Sequence, residues 1–240
     1  MMTERRMLHA ARNAARTAVL DAWAVVMPTD CSGCGTPDRA LCADCLCALR
    51  AAPRVAYRDD LAVWSALDYS GVVGRVLVAY KDGGRTDAAP ALAAALREAV
   101  AAALTAAAPA DPTQITGGIV LVTVPSSRRA WRVRGFHPVD LLLRRAGLRG
   151  RRLLRPSGSV ADQVGLGRQQ RLDNRSGSLV ASRPLAGSRI LLVDDIVTTG
   201  ATLLEAARAI RQAGGEVIGA ATVAETRRLH PDTHRSRKSD

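Results

Sequence analysis

Lysine and aromatic side chains are nearly absent from this chain. Of its 34 basic residues two are lysines, Lys81 and Lys238, and the other 32 are arginines. Phe, Tyr and Trp together make up 3% of the residues. The core must therefore be filled with Ala, Val, Leu and Ile, and a surface that reads bases by stacking has few rings to use. No run of about 20 apolar residues occurs, which argues against a membrane span. Residues 4–26 carry Arg5, Arg6, Arg12, Arg16 and Asp21 between apolar positions. The uncharged apolar stretch of a signal peptide is thus missing. Cysteine is scarce, and four of the five fall within fifteen residues.

The remainder is ordinary globular material: 48% hydrophobic and 23% charged residues in 25.4 kDa, enough for one full domain and something small. The net charge of +12 favours anionic partners such as phosphates, nucleotides or nucleic acid. Along the chain, residues 1–27 show apolar positions at helical spacing (Met7, Ala11, Ala14, Ala18, Ala22, Val25) and predict an amphipathic helix stopped by Pro28. A cysteine module spans 28–60. The body, 61–226, alternates strand and helix patterns: a strand over 62–69, a helix from Gly71 to Tyr80, an Ala-rich helix from Pro90 to Ala108, a buried strand over 119–124, and a helix over 138–145. An irregular stretch over 149–188 precedes a second buried strand over 189–193, a helix over 201–212 and a third strand over 217–223. That alternation predicts an α/β fold with a parallel sheet and flanking helices. The polar residues 227–240 read as a disordered tail.

Cys31-Ser-Gly-Cys34 and Cys42-Ala-Asp-Cys45 are two Cys-x-x-Cys pairs. Four soft ligands supplied from two tight turns suit a closed, structural zinc site of the zinc-ribbon kind. Without a secretory signal a reducing, cytoplasmic setting is expected, where thiols outlast disulfides. Cys47 is left over and reads as a small apolar residue.

Ile190-Leu-Leu-Val193 runs into Asp194-Asp195-Ile-Val-Thr198-Thr199-Gly200-Ala201-Thr202. The apolar run would carry two carboxylates to the C-terminal end of a parallel strand, where ligands of open α/β sheets bind. The loop that follows offers backbone N–H groups, hydroxyls and a helix N-terminus, which together cradle phosphate. Carboxylates repel phosphate but accept hydrogen bonds from a sugar diol. A ribose 5-phosphate satisfies both halves.

The string from Ile190 to Thr202 resembles the phosphoribosyl-pyrophosphate (PRPP) motif of type I phosphoribosyltransferases. Further stretches narrow the likeness: Val124-Pro125, Arg128 and Arg134-Gly-Phe136; Gln163-Val-Gly-Leu166 followed by Arg171 and Asn174; and Tyr69-Ser-Gly71 before Tyr80-Lys81-Asp82-Gly83. With the cysteine pairs in front, this order is similar to the ComF family of competence and DNA-utilisation proteins over residues 20–224. Two departures stand out. His137 follows Arg-Gly-Phe where relatives carry Asn, and the turn Lys81-Asp82-Gly83-Gly84 is looser than the usual pattern.

The resemblance implies a type I phosphoribosyltransferase-like fold that binds PRPP with Mg²⁺. Asp194 and Asp195 would take the ribose hydroxyls, and Thr198, Thr199, Gly200, Ala201 and Thr202 the 5-phosphate. Arg128, Arg129 and Arg134 would grip pyrophosphate. Gln163, Arg168, Arg171 and Asn174 would form a lid that delivers charge on closure. Three readings remain open: a PRPP-binding protein of DNA uptake and utilisation, an active phosphoribosyltransferase of nucleotide metabolism, and a single-strand DNA-binding module with a relic pocket. Single-stranded DNA, competence or DNA-translocation proteins and a second copy of the chain are the partners these readings allow. Trp131 and Phe136, flanking Arg128, Arg129, Arg132 and Arg134, are the stacking candidates.

Overall fold

The structure, a computed structural model, describes residues 29–108, 118–125, 134–157 and 177–227. The expected N-terminal helix, and the expected tail beyond Arg227, lie outside the described residues. The strands are β1 (Arg54–Arg58), β2 (Leu61–Asp68), β3 (Ile119–Thr123), β4 (Gly150–Arg151), β5 (Leu154–Pro156), β6 (Leu179–Ala181), β7 (Arg189–Val197) and β8 (Glu216–Glu225). The helices are α1 (Ala43–Ala48), α2 (Gly71–Lys81), α3 (Ala89–Ala106), α4 (Pro138–Arg145) and α5 (Ala201–Gln212).

Six strands form one sheet in the order β1-β2-β8-β7-β3-β4. From β2 to β4 every pairing is parallel, and β1 alone runs antiparallel, as a hairpin partner of β2. The mixed α/β architecture with a mostly parallel sheet is the expected one. Both faces of β7 are covered, which is why it reads as an unbroken apolar run. Leu191 and Val193 belong on one face to the core that also holds Leu92, Leu96 and Ala99 of α3 and Leu142 and Leu143 of α4. Ile190 and Leu192 pack with Leu203, Ala206 and Ile210 of α5 on the other. Each fully buried leucine contributes about 1.5–3 kcal/mol. The segment Thr86–Ala106 is long and apolar enough to cross a membrane by length and composition, but α3 buries Leu92, Leu96, Ala99 and Ala103 against the sheet as a core helix does.

Three expectations need correction. Arg54–Arg58, assigned above to the cysteine module, is the edge strand of the main sheet. Its outer positions are exposed, so the alternation that marks a strand is missing. The stretch 149–188, read as irregular, contains β4, β5 and β6 among its described residues. They are two or three residues long, too short to show a period. The strand expected to end at Val193 continues to Val197, so the acidic pair lies inside β7. Pairing with β8 up to Glu225 keeps those residues extended.

One partly buried ion pair fastens the β5–β6 ribbon to α5. Glu205, 5% exposed, accepts the Leu179 N–H at 2.9 Å and Arg208 Nε at 2.6 Å, while Arg208 Nη2 donates to the Leu179 carbonyl at 2.8 Å. Burial opposes ionisation of Glu205, but the Arg208 guanidinium and the Leu179 amide outweigh it and hold the carboxyl below its usual range. A depressed carboxyl stabilises the fold above its unfolded pKa, and that contribution is lost as pH falls through the folded value. Glu205→Gln should therefore lower the thermal midpoint at pH 7, at a cost of about 1–3 kcal/mol. The deficit should shrink as pH falls below the usual glutamate range in paired thermal melts.

Candidate functional site at the switch point of the sheet

β3 leads outward to β4 through α4, whereas β7 leads the other way to β8 through α5. Their C-terminal ends diverge from a topological switch point, where open α/β sheets leave a crevice. A cleft of about 360 Å³ lies there. Thr123, Val124 and Pro125 form its β3 wall, Asp194, Asp195 and Ile196 its β7 wall, and Thr202 marks the start of α5. Lys81, Arg134, His137, Asp140 and Arg152 supply most of its remaining polar lining.

Adjacent carboxylates in such a cleft destabilise each other. Burial pushes the Asp194 carboxyl well above the usual carboxylate range, and the charge of Asp195 pushes further. The Asp195 N–H, donating to Asp194 Oδ1 at 2.8 Å, and the Lys81 ammonium act in the opposite direction. Asp195 has a direct partner: Lys81 Nζ lies 3.0 Å from Oδ1 and 2.9 Å from Oδ2.

Lys81 is placed there by its neighbours in sequence. The preceding residue, Tyr80, is fully buried, donates its hydroxyl to the Pro138 carbonyl at 2.8 Å and meets the Phe136 ring edge-on at 5.6 Å. Burial and the nearby charge of Asp195 keep that hydroxyl protonated, hence a donor. The following residue, Asp82, accepts from Arg134 Nη2 at 3.0 Å. Three consecutive residues at the end of α2 thus reach α4, β7 and the end of the basic loop.

The cradle is built by Gly200, at φ +86°, where the chain turns from the loop into α5. A Cβ at Gly200 would lie 2.7 Å from Arg58 Cγ, so the left-handed turn and the close approach both require glycine. Arg58 is 8% exposed and pairs with Glu225 at 3.3 Å, so β1 braces the loop from behind. Thr198 and Thr199 are exposed, and the Ala201 N–H reaches Thr199 Oγ1 at 3.3 Å. The first N–H groups of a helix have no intrahelical acceptor, and they face this loop with the positive end of the helix dipole.

The cysteine cluster forms a second centre. The Sγ atoms of Cys31, Cys34, Cys42 and Cys45 all lie within 4.8 Å of one another, with Cys34 and Cys42 at 3.6 Å. Four sulfurs bound to one ion at about 2.3 Å are about 3.8 Å apart, so the cluster fits a tetrahedral metal. Burial opposes ionisation of Cys31, but N–H groups of Cys42, Cys34 and Gly33 prevail and bring it to about 6. Burial pushes Cys45 the other way. Cys47 is exposed rather than packed in a core, contrary to expectation. The Cys31 turn sits on α2: a Cβ at Gly33 would lie 2.5 Å from Cys45 Sγ and 3.0 Å from Val72, Arg75 Nε donates to the Gly33 carbonyl, and Arg85 Nη2 donates to that of Asp30 at 2.9 Å.

The structure therefore brings Asp194, Asp195, Thr202 and Arg134 to one cleft, with Thr198, Thr199 and Gly200 in the loop between β7 and α5 and Ala201 as the first residue of α5. Arg128, Arg129, Gln163, Arg168, Arg171 and Asn174 lie outside the described residues, as do Trp131 and Arg132. The ends of the expected lid are nonetheless joined, since the Ser157 N–H donates to the Ser178 carbonyl at 2.9 Å. Arg58, Arg152 and Asp140 were not singled out from sequence, and nothing in the local pattern marks them. Lys81 did carry a signal, as one of two lysines among 34 basic residues.

Residues 155–238 match the family described as the phosphoribosyl transferase domain. Orotate phosphoribosyltransferase of Pyrobaculum aerophilum is 40% identical over 77 residues, 31% of this chain and 35% of that protein. The enzyme of the same name from Mycobacterium avium is 49% identical over 47 residues, 20% of this chain and 26% of that protein. Adenine phosphoribosyltransferase of Neisseria meningitidis serogroup C is 54% identical over 39 residues, 16% of this chain and 21% of that protein. The match thus spans about a third or less of these relatives. Among solved structures, adenine phosphoribosyltransferase of Leishmania tarentolae aligns over 72% of this chain and 94% of its own at 11% identity, with a TM-score of 0.33. That of Rhodothermus marinus aligns over 77% and 88% at 20% identity, with a TM-score of 0.29. Residues 155–238, the part that resembles the phosphoribosyl transferase domain, contain the acidic pair and the cradle.

A raised carboxyl penalises the folded state as pH rises above the unfolded value of about 4, because the unfolded chain ionises freely and the folded chain does not. Asp194→Asn should accordingly raise the melting temperature of the ligand-free protein at pH 7.5, by roughly 2 °C or more. No gain is expected at pH 4. An unchanged or lower midpoint at pH 7.5 would show that Asp194 is not strained.

Proposed function

We propose that the chain binds PRPP, or a related ribose 5-phosphate, in the cleft between β3 and β7. One observation carries this reading: a carboxylate pair and Thr202, at the start of the helix that the glycine turn opens, line one cleft at the switch point, offering acceptors for a diol near donors for a phosphate. Asp194 and Asp195 take the ribose hydroxyls. Thr198, Thr199, Gly200, Ala201 and Thr202 hold the 5-phosphate. Arg134, with Arg128 and Arg129, holds the pyrophosphate, and Gln163, Arg168, Arg171 and Asn174 close over it. Mg²⁺ arriving with the diphosphate offsets its charge next to the acidic pair. Holding a leaving pyrophosphate and stabilising charge at C1 is what transfer of a phosphoribosyl group requires.

The names of the relatives favour an active transferase, whereas the cysteine module and the net charge of +12 favour a ComF-like protein that handles DNA in the cytoplasm. Both uses need the same ligand, so binding is tested first. Calorimetry should detect PRPP with Mg²⁺ in the micromolar to millimolar range. Asp195→Asn should weaken it by about 1.5–3 kcal/mol through loss of a charged acceptor. No heat at millimolar PRPP would leave the pocket a relic. Release of pyrophosphate on adding orotate or adenine would select the transferase. Salt-sensitive binding of single-stranded DNA without turnover would select the other reading.

We assign zinc to the cysteine cluster as a structural ion, held by Cys31, Cys34, Cys42 and Cys45. The purified protein should contain one zinc per chain by elemental analysis, and Cys34→Ser should lower both zinc content and melting temperature. A full melting temperature in a zinc-free preparation would refute the assignment.

A further inference from the structure

The turn Lys81-Asp82-Gly83-Gly84 departs from the expected pattern and has so far been given no task. It ends α2 inside the ligand cleft, and its two charged residues touch two groups assigned to the ligand. Lys81 Nζ grips both oxygens of Asp195, at 3.0 and 2.9 Å. Asp82 accepts from Arg134 at 3.0 Å. A cation thus faces the carboxylate meant for the sugar hydroxyls, and an anion faces the arginine meant for pyrophosphate.

We propose that Asp82 stands in for the ligand's phosphate on Arg134 before a ligand binds, with Lys81 as the anchor that holds it there, and that an incoming anion takes Arg134 over. This inference rests on the phosphoribosyl reading of the cleft. Asp82 makes Arg134 selective: an anion must outcompete a resident carboxylate before it is held.

The two pairs differ in the way such a device needs. Lys81 and Asp195 are 21% and 11% exposed, so the anchor is shielded from water. Asp82 is 62% exposed while Arg134 is 19% exposed, so the stand-in is loosely held and solvent can replace it. Exposed pairs of this kind contribute little net stability, which is what lets a doubly charged diphosphate displace them. The backbone permits the departure: Gly84 adopts φ +65° with nothing within 4 Å of a Cβ, and Gly83 lies between it and Asp82. Beyond Gly84, Arg85 ties the segment to the Asp30 carbonyl at 2.9 Å. Tyr80 fixes its other end, so movement is confined to the few residues between.

The residue types agree with these roles. A chain that uses arginine at 32 of 34 basic positions places a lysine at 81. A guanidinium fork would occupy both oxygens of Asp195, whereas an ammonium anchors them as a point charge and leaves lone pairs open to sugar hydroxyls.

A double-mutant cycle tests the proposal, with inorganic pyrophosphate and PRPP, each with Mg²⁺, as probes and calorimetry as the readout. Asp82→Asn should tighten pyrophosphate binding three- to tenfold. The gain should vanish in the Arg134→Gln background, because Asp82 acts through that arginine. Asp87→Asn, an exposed acid in the same segment, should change affinity less than twofold. An unchanged affinity in Asp82→Asn, an equal gain without Arg134, or an equal gain from Asp87→Asn would each overturn the proposal. Failure of wild type and Asp82→Asn to bind either probe would overturn both this inference and the phosphoribosyl reading. Binding of PRPP without coupling between Asp82 and Arg134 would overturn this one alone.

Discussion

Two carboxylates on consecutive residues, carried by a buried strand to the wall of a cleft, cannot both stay ionised without a partner. Asp194 answers by favouring its neutral form and Asp195 by taking Lys81. Much of the molecule is arranged around that second answer. Lys81 must arrive from outside the sheet, so α2 must end at the cleft. For α2 to end there, Tyr80 must be buried against α4 and bonded to Pro138. A site that holds charge against burial is strained while empty, and a ligand that brings hydroxyls to the carboxylates and anions to the arginines relieves it.

The central strands were legible because both their faces are buried, which leaves a long apolar run with a sharp end. The helices over 71–81, 138–145 and 201–212 were legible from their apolar spacing. The acidic pair and the cradle were legible because their chemistry is packed into consecutive residues. Residues that meet only through the fold were not. Arg58 reaches Gly200, and Arg152 reaches Asp140, with no trace in the local pattern. The hairpin strand over 54–58 was missed because one antiparallel partner and an exposed edge impose no alternation. The acidic pair was placed beyond its strand because charge usually ends a buried run. Here parallel pairing with β8 carries extended backbone past it to Val197.

Arginine and lysine divide the work in this chain by geometry. Arginines occupy places where a fork can hold two acceptors or span a gap: Arg208 on Glu205 and the Leu179 carbonyl, Arg152 on Asp140, Arg75 and Arg85 on backbone carbonyls of the cysteine module. The one described lysine sits in the cleft, where a single point charge holds both oxygens of Asp195. A near absence in the composition thereby coincides with one position in the cleft.

The contact between the Cys31 turn and α2 has a bearing on how the protein can be cut. Cysteine module and sheet read as separate units in the sequence, with a boundary near residue 60. In the fold, Gly33 lies against Val72 with no room for a methyl group, two arginines of the 71–85 segment donate to carbonyls at 30 and 33, and β1 precedes that boundary while belonging to the sheet. Excising the body at that point would strip an edge strand, uncover an apolar helix face and orphan two guanidinium donors. The small module is tied to the segment that carries Lys81, and a version of this chain cut near residue 60 would lose those ties.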